Sequence, residues 1–276
     1  MKLIKFLMTI VLILGTLSGM IYIYARYIEP RLLIVNQVKL QSAEVKGHLK
    51  IAFFGDTHVG EFTDAGQLKC IVDKINDQNP DLVIFTGDLI DANSQFSANS
   101  EEVALTLQQI QAPYGKYCVI GNHEYALAKK YDYETLMKAA GFQVLINDWL
   151  DISEINVRLL GLDDAYLGKP DKMLSENARE GSYNILMTHE PDIVDQMNLD
   201  EMQLVLAGHT HGGQISIPLI TNKILPSGGR KYIKGIYYLG SARETVLFVT
   251  KGTGMTKLPL RFMNVPEIVT IDISPK

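Results

Sequence analysis

From Leu49 onward the chain repeats one local pattern: a short apolar run, of the kind that makes a buried strand, stops abruptly at glycine, aspartate, asparagine or histidine. Lys50–Phe54 leads into Gly55-Asp56-Thr57-His58, Asp81–Thr86 into Gly87-Asp88, and Lys116–Ile120 into Gly121-Asn122-His123-Glu124. Met187 leads into Thr188-His189-Glu190, and Leu206 into Ala207-Gly208-His209-Thr210-His211. Amphipathic stretches lie between the early runs. Ala65–Asp77 carries Leu68, Ile71, Val72 and Ile75 on one helical face, and a second helix is expected around Glu101–Ile110. Strand, helix, strand, helix, strand predicts βαβ units and a parallel sheet. Such a sheet places its ligand sites beyond the carboxyl ends of its strands, so five segments distant in sequence are expected to meet at one edge.

The second half is richer in strands. Val144–Ile146, Val157–Leu160, Tyr183–Met187, Leu204–Leu206, Gln214–Ile217, Gly235–Leu239, Val246–Val249 and Ile268–Ile273 fit, with one helix near Pro191–Met197. No repeat or low-complexity linker interrupts them. One α/β domain over 31–276, with two packed sheets, is the expectation, because large α/β domains often run this long as one unit.

The residue types at the strand ends share a chemistry. Imidazole and carboxylate suit borderline divalent metals such as Mn, Zn and Fe, and an Asn carbonyl adds a neutral oxygen. Asp-x-His and His-x-His hold two ligands one residue apart, so both can face one site from an extended loop. A glycine precedes the ligand in four of the five segments, where the backbone must turn sharply or approach an ion closely. Taken singly, each motif is more often an ordinary turn or a hydrogen-bonded histidine. Jointly they differ: five of the six histidines fall in these motifs and only His48 lies outside. The two cysteines, Cys70 and Cys118, have no metal-type spacing and are expected to be buried free thiols. Two ions about 3.5–4 Å apart, bridged by a carboxylate, can polarise a phosphoryl group and generate hydroxide near neutral pH.

Before the domain, the run from Phe6 to Ala25 has no charged residue and matches the roughly 20 apolar residues that span a bilayer. Tyr22, Tyr24 and Tyr27 cluster at one end, as aromatic residues do at a membrane interface. Thr16 and Ser18 offer a weak cleavage site, but the run continues past them, so residues 1–30 are expected to be an uncleaved single-pass anchor in the cell membrane. Lys2 and Lys5 before it and Arg26, Arg31 and Lys39 after it do not decide its orientation by charge. The formal net charge of −5 provides no basic field for a long nucleic acid, but leaves room for a small phosphorylated substrate.

Asp-x-His, Gly-Asp, Gly-Asn-His-Glu, His and Gly-His-x-His occur in this order from Asp56 to His211, and here the chain resembles the calcineurin-like metallophosphoesterases. Gly208-His209-Thr210-His211-Gly212-Gly213-Gln214 and the stretch from Gly252 to Ile268 look like a bacterial membrane-associated branch. That branch includes enzymes resembling the Bacillus wall-associated phosphoesterase and UDP-diacylglucosamine pyrophosphatases. The resemblance implies a four-layer α/β/β/α sandwich of two mixed sheets flanked by helices. It also implies that Asp56, His58 and His211 bind one divalent ion, that Asn122, His189 and His209 bind another, and that Asp88 bridges them. His123 is implied as a non-ligand that faces the phosphate, with Glu124 behind it. The implied reaction is in-line attack by metal-bound hydroxide without a covalent enzyme intermediate. An extracytoplasmic domain is expected on the same resemblance.

The substrate is not specified by these motifs. Arg230, Lys231, Lys257 and Arg261 are candidates for gripping a phosphate or diphosphate, although each is more readily a solvated surface charge. Asp163-Asp164 is expected to make a turn after a strand. Three functions compete: hydrolysis of a phosphoester or diphosphate on a membrane or lipid-linked substrate, a catalytically idle metal-binding scaffold, and a phosphodiesterase for soluble nucleotides. The full ligand set weighs against the scaffold.

Overall fold

The computed structural model of the 276-residue chain describes residues 1–92, 99–128, 132–219, 221, 225–240 and 245–276. The apolar N-terminal run forms α1 (Lys2–Ile23), which continues through a π-turn at Tyr24–Ile28 and a 3-10 turn at Glu29–Arg31. An 18-residue stretch within Lys2–Arg31 has a mean hydropathy of 2.2, and the helix is a candidate membrane span by length and composition. No side chain of α1 is buried against the domain.

Beyond it the chain folds as β1 (Ile34–Ser42), β2 (Leu49–Phe54), α2 (Ala65–Asn76), β3 (Leu82–Phe85), α3 (Ser100–Gln108), β4 (Lys116–Cys118), α4 (Asn122–Leu127), α5 (Tyr133–Ala139) and β5 (Gln143–Val144). The second half supplies β6 (Asp148–Ile152), β7 (Val157–Gly161), β8 (Tyr183–Met187), β9 (Leu204–Ala207), β10 (Gly235–Leu239), β11 (Thr245–Val249) and β12 (Glu267–Pro275). One sheet has the order β1-β12-β2-β3-β4-β5 and the other β10-β11-β9-β8-β7-β6. Both are mixed: β2 to β5 run parallel and β12 antiparallel to β2, while β11-β9-β8-β7 run parallel between antiparallel β10 and β6.

The period-two alternation of strand side chains explains why both faces of the central strands are apolar. In β2 and β3, Ile51, Phe53, Leu82 and Ile84 enter the core between the sheets, while Ala52, Phe54, Val83 and Phe85 pack under the helices. In β9, Leu204 and Leu206 face the shared core and Val205 and Ala207 the opposite side. Helix α2 begins where Asp64 and Gln67 form a reciprocal capping box, and it buries Leu68, Ile71, Val72 and Ile75. The second sheet is covered on its outer face by 3-10 helices, Lys172–Asn177 and Pro191–Gln196, which insert Leu174, Ile193 and Val194.

The helix expected near Pro191–Met197 is therefore a 3-10 helix, closed by an extended Met197. Gln214–Ile217 is not a strand. Gly212, Gly213 and Gln214 all take positive φ and turn the chain, leaving one isolated bridge from Ile215 to Phe262. Strand β1 was absent from the sequence expectation because its side chains are mostly half-exposed at a sheet edge, where parallel pairing with β12 holds it. Cys118 is buried as expected, but Cys70 is exposed: it lies on α2 off the face defined by Leu68, Ile71 and Ile75.

Candidate metal centre

The strand-end segments meet where the carboxyl ends of β2, β3, β8 and β9 converge between the two sheets. Asp56, His58, His189 and their neighbours Thr57 and Thr86 are fully buried, and Asp88, His123, His209 and His211 nearly so. Asp88 lies at the middle. Its Oδ2 is 3.5 Å from His58 Nε2 and 3.2 Å from His189 Nε2, while its Oδ1 accepts the His123 backbone N–H at 2.9 Å. On one side, His58 Nε2 and His211 Nε2 are 2.9 Å apart and Asp56 Oδ1 is 3.7 Å from His211 Nε2. On the other, the rings of His189 and His209 lie 5.0 Å apart.

The local backbone explains how these side chains are aimed. Asp56, His58, Asp88, His209 and His211 all adopt φ between 45° and 70°, a left-handed conformation that non-glycine residues rarely take. Each such turn reverses the chain at a strand end and presents the side chain inward. The preceding glycines admit close approach. A Cβ on Gly121 would lie 2.5 Å from Asp88 Oδ1, and one on Gly208 would lie 2.6 Å from Asp56 Oδ2.

Outer hydrogen bonds select the nitrogen each imidazole offers. His189 Nδ1 donates to the Thr86 carbonyl at 2.6 Å, which turns Nε2 toward Asp88. His209 Nε2 meets the Ser227 carbonyl at 2.8 Å, so Nδ1 faces inward. His123 is arranged oppositely: its Nδ1 accepts the Ala92 N–H at 2.8 Å, so the neutral ring carries its proton on Nε2. Glu124 accepts the N–H groups of Asp88, Leu89 and Gly121 at 2.8–2.9 Å and so ties the second and third motifs together.

These groups fit divalent cations. Four sets of three carboxylate and imidazole groups each bring ligand atoms within 4.8 Å of one another: Asp56, His58 and His211; His58, Asp88 and His123; His189, Glu190 and His209; and Asp56, Asp88 and His189. The buried Asn122 Oδ1 and His211 Nδ1 have no hydrogen-bond partner. A ligand–ion distance of about 2.1 Å puts neighbouring ligands of an octahedral ion about 3 Å apart, close to the His58–His211 separation. Burial also prepares the donors. It pulls His58 down to about 3 and His209 to about 4, and it holds His211 well below the ordinary imidazole range, so all three are neutral at pH 7. Burial, reinforced by the charge of Asp88, pushes Asp56 up to about 7.

Beside the centre lies a cavity of about 280 Å³. Asp88, Asn122, His123, His209 and His211 line one side, and Ile215, Leu225, Pro226 and Leu258 form an apolar wall with Thr256 and Lys257 at its margin. Of the four basic residues singled out in the sequence, only Lys257 borders this cavity. Lys231 pairs with Asp195 at 2.7 Å on the surface, and the Arg230 backbone N–H binds Asp192 nearby. Arg261 is neither a surface charge nor a phosphate grip. It is fully buried and donates to the carbonyls of Lys251, Gly252, Gly254 and Asn264. Asp163-Asp164 does form a turn after β7, with Asp164 Oδ1 accepting the N–H groups of Tyr166 and Gly168.

Two acidic residues at the centre escaped the sequence reading. Glu190 Oε1 lies 3.9 Å from His209 Nδ1, and Asp91 Oδ1 lies 3.3 Å from His123 Nδ1. Their only local signal is adjacency: Glu190 follows His189, and Asp91 comes three residues after Asp88.

The fold and this centre define a metal-dependent hydrolase of phosphoric esters. The chain belongs to the calcineurin-like phosphoesterase family, whose model matches residues 49–213. It is 35% identical to the metallophosphoesterase YkuE of Bacillus subtilis, across 91% of this chain and 89% of that protein. It is 25% identical to the UDP-2,3-diacylglucosamine pyrophosphatase LpxG of Chlamydia muridarum, across 90% of this chain and 91% of that protein. A dimetal phosphatase from Danio rerio shares the fold, with a TM-score of 0.50 and 11% identity over 82% of this chain and 99% of that one.

Proposed function

We propose that the protein is a dinuclear phosphoesterase that cleaves a phosphodiester, phosphomonoester or diphosphate bond, with a membrane- or envelope-linked molecule as substrate. The observation that carries this reading is the placement of Asp88 Oδ2 between His58 Nε2 and His189 Nε2. In this reading Asp56, His58 and His211 hold one ion of Mn, Zn or Fe, and Asn122, His189 and His209 hold the other, with Asp88 shared. The bound pair supplies Lewis-acid stabilisation of phosphoryl charge and acidifies water.

The chain's own residues do the rest. Thr86 and Ser227 fix the orientations of His189 and His209 through their carbonyls. His123 borders the cavity; in its charged form Nδ1–H faces Asp91 Oδ1, 3.3 Å away, and we assign the Nε2 proton to the departing oxygen. Burial opposes its charged form, but the carboxylates of Asp88 and Asp91 outweigh this and hold His123 above the ordinary imidazole value. It is therefore suited to donate near neutral pH. In this reading Lys257, which lines the cavity, is the candidate partner of a second phosphoryl group.

A lipid-linked substrate is supported by the likeness to LpxG, by the apolar wall of the cavity and by the candidate membrane span. An extracytoplasmic domain is part of this proposal, and protease accessibility in intact cells tests it. The test of the reaction is the purified full chain with added Mn²⁺. Two ions per chain with hydrolysis of an aryl phosphodiester or a nucleotide diphosphate is the expected result. Two ions bound without turnover of any phosphoester would make the protein an idle scaffold instead.

A further inference from the structure

Helix α1 is not a loose tether. At a rise of about 1.5 Å per residue, the uncharged run from Phe6 to Ala25 spans about 30 Å, the thickness of the hydrocarbon core, and so sets Ala25 at its boundary. At that boundary the chain clasps the domain. The Ala25 carbonyl accepts the Arg261 N–H at 2.9 Å. Glu29, fully buried, accepts the backbone N–H groups of Met263, at 3.0 Å, and of Asn264. The Tyr24 ring packs edge-on against Phe262.

The segment held in this way is the back of the cavity wall. Phe262 exchanges backbone hydrogen bonds with the 214–216 segment, its N–H donating to Gln214 and its carbonyl accepting from Ser216. The Gln214 amide donates to the Leu258 carbonyl at 2.8 Å, and the Asn264 side chain donates to the His211 carbonyl. Two side chains, Glu29 and Asn264, thus connect the last turn of the anchor to a candidate metal ligand. A buried carboxylate satisfied by backbone N–H groups is costly to release, so anchor end and cavity wall form one rigid unit.

Depth follows from chain length. Leu258 lies three positions before Arg261, at most about 10 Å of extended chain, and the headgroup layer on each side of a bilayer is about 5–7 Å thick. Leu258 and Met263 are 52% and 61% exposed to solvent; the Met263 N–H binds Glu29, and Leu258 lies within that reach. We infer that Leu258, on the cavity's apolar wall, and Met263, beside the anchor's last turn, form an apolar rim seated in the membrane interface, so that the site takes its phosphoester from a lipid in that leaflet. The inference rests on the reading of α1 as the anchor and of the site as a phosphoesterase.

Tryptophan quenching by brominated lipid in phosphatidylcholine vesicles tests it on the full chain. The only tryptophan, Trp149, lies on edge strand β6, five strand spacings or about 24 Å across its sheet from β10, whose Gly235 borders the same pocket as Met263. In a Trp149→Phe background, Leu258→Trp and Met263→Trp are each expected to lose fluorescence to the level of Tyr27→Trp, while wild-type Trp149 keeps its intensity. Unquenched signals at both rim positions beside a quenched Tyr27→Trp would overturn the inference, because the domain would then stand clear of the bilayer. Aryl phosphodiester hydrolysis by the wild-type protein in the same vesicles, its cavity wall unaltered, separates the two readings. Quenched but inactive protein supports membrane seating and counts against the phosphoesterase reading. Active protein with an unquenched rim does the reverse.

Discussion

Arg261→Met and Arg261→Lys ask whether a cation near the metal centre grips phosphate or holds the fold. The guanidinium makes five hydrogen bonds of 2.7–3.3 Å to four backbone carbonyls. Burial pulls its pKa down to about 10, against the attraction of Asp56, Glu267 and Glu29, so it stays charged at neutral pH. Hydrogen bonds to a charged group contribute about 1.5–3 kcal/mol each. Methionine strands all four carbonyls and is expected to cost on the order of 6 kcal/mol, which is comparable to the whole stability of many domains. Lysine keeps the charge and can serve about two of the carbonyls, for a loss of about 3 kcal/mol. At about 2–4 °C per kcal/mol, Arg261→Lys should melt about 6–12 °C below wild type, and Arg261→Met about 12–24 °C below or not fold at all. Thermal unfolding of the full chain in detergent, followed by circular dichroism, reads this directly. An unchanged melting temperature in Arg261→Lys, together with a raised KM at unchanged kcat, would refute the structural role and restore the phosphate grip.

Four further outcomes are expected. Asp88→Asn removes the shared carboxylate, so metal analysis should show fewer than two ions and turnover should fall about 10²-fold or more, as loss of about 3 kcal/mol of transition-state stabilisation implies. His123→Asn should keep both ions yet slow turnover by about 10²–10⁴-fold, the range for a general acid; loss of metal would make it a ligand. In Gly254→Ala the new Cβ would meet the Thr57 carbonyl at 1.8 Å, so the loop carrying Asp56 and His58 must shift. A displacement of about 1 Å costs about 10²-fold in rate, measurable with an aryl phosphodiester. Asp151 is held below the ordinary carboxylate range chiefly by its hydrogen bond to Arg158, with Arg179 also attracting it. Because its pKa is lowered on folding, its contribution of about 1 kcal/mol is present above the unfolded pKa and is lost as pH falls through the folded value. The melting difference between wild type and Asp151→Asn should therefore be present at pH 7 and vanish in strong acid.

Much of this protein was legible locally. The apolar runs ending in Gly-Asp, Gly-Asn-His and Gly-His-Thr-His revealed the strands and the carboxylate and imidazole groups that meet beyond them, because a parallel sheet gathers whatever follows its strands and glycine must stand where backbone meets a neighbour. The helical period marked the buried face of α2, and the uncharged run marked α1. Tyr183–Met187 and Gly235–Leu239 have the expected boundaries.

What tertiary structure alone decided is which charges are buried and which partners they find. Arg261 reads in sequence as an accessible cation, and only the closure of the 251–264 segment around it turns its five donors inward. Glu29 reads as the flank of a membrane helix, yet its carboxylate binds Met263 and Asn264, more than 230 residues away in sequence. The same holds for Glu190 and Asp91, whose closeness to His209 and His123 arises where two sheets face each other. Local sequence carries periodicity and residue chemistry. Desolvation and ion pairing depend on distances that exist only after the chain has folded.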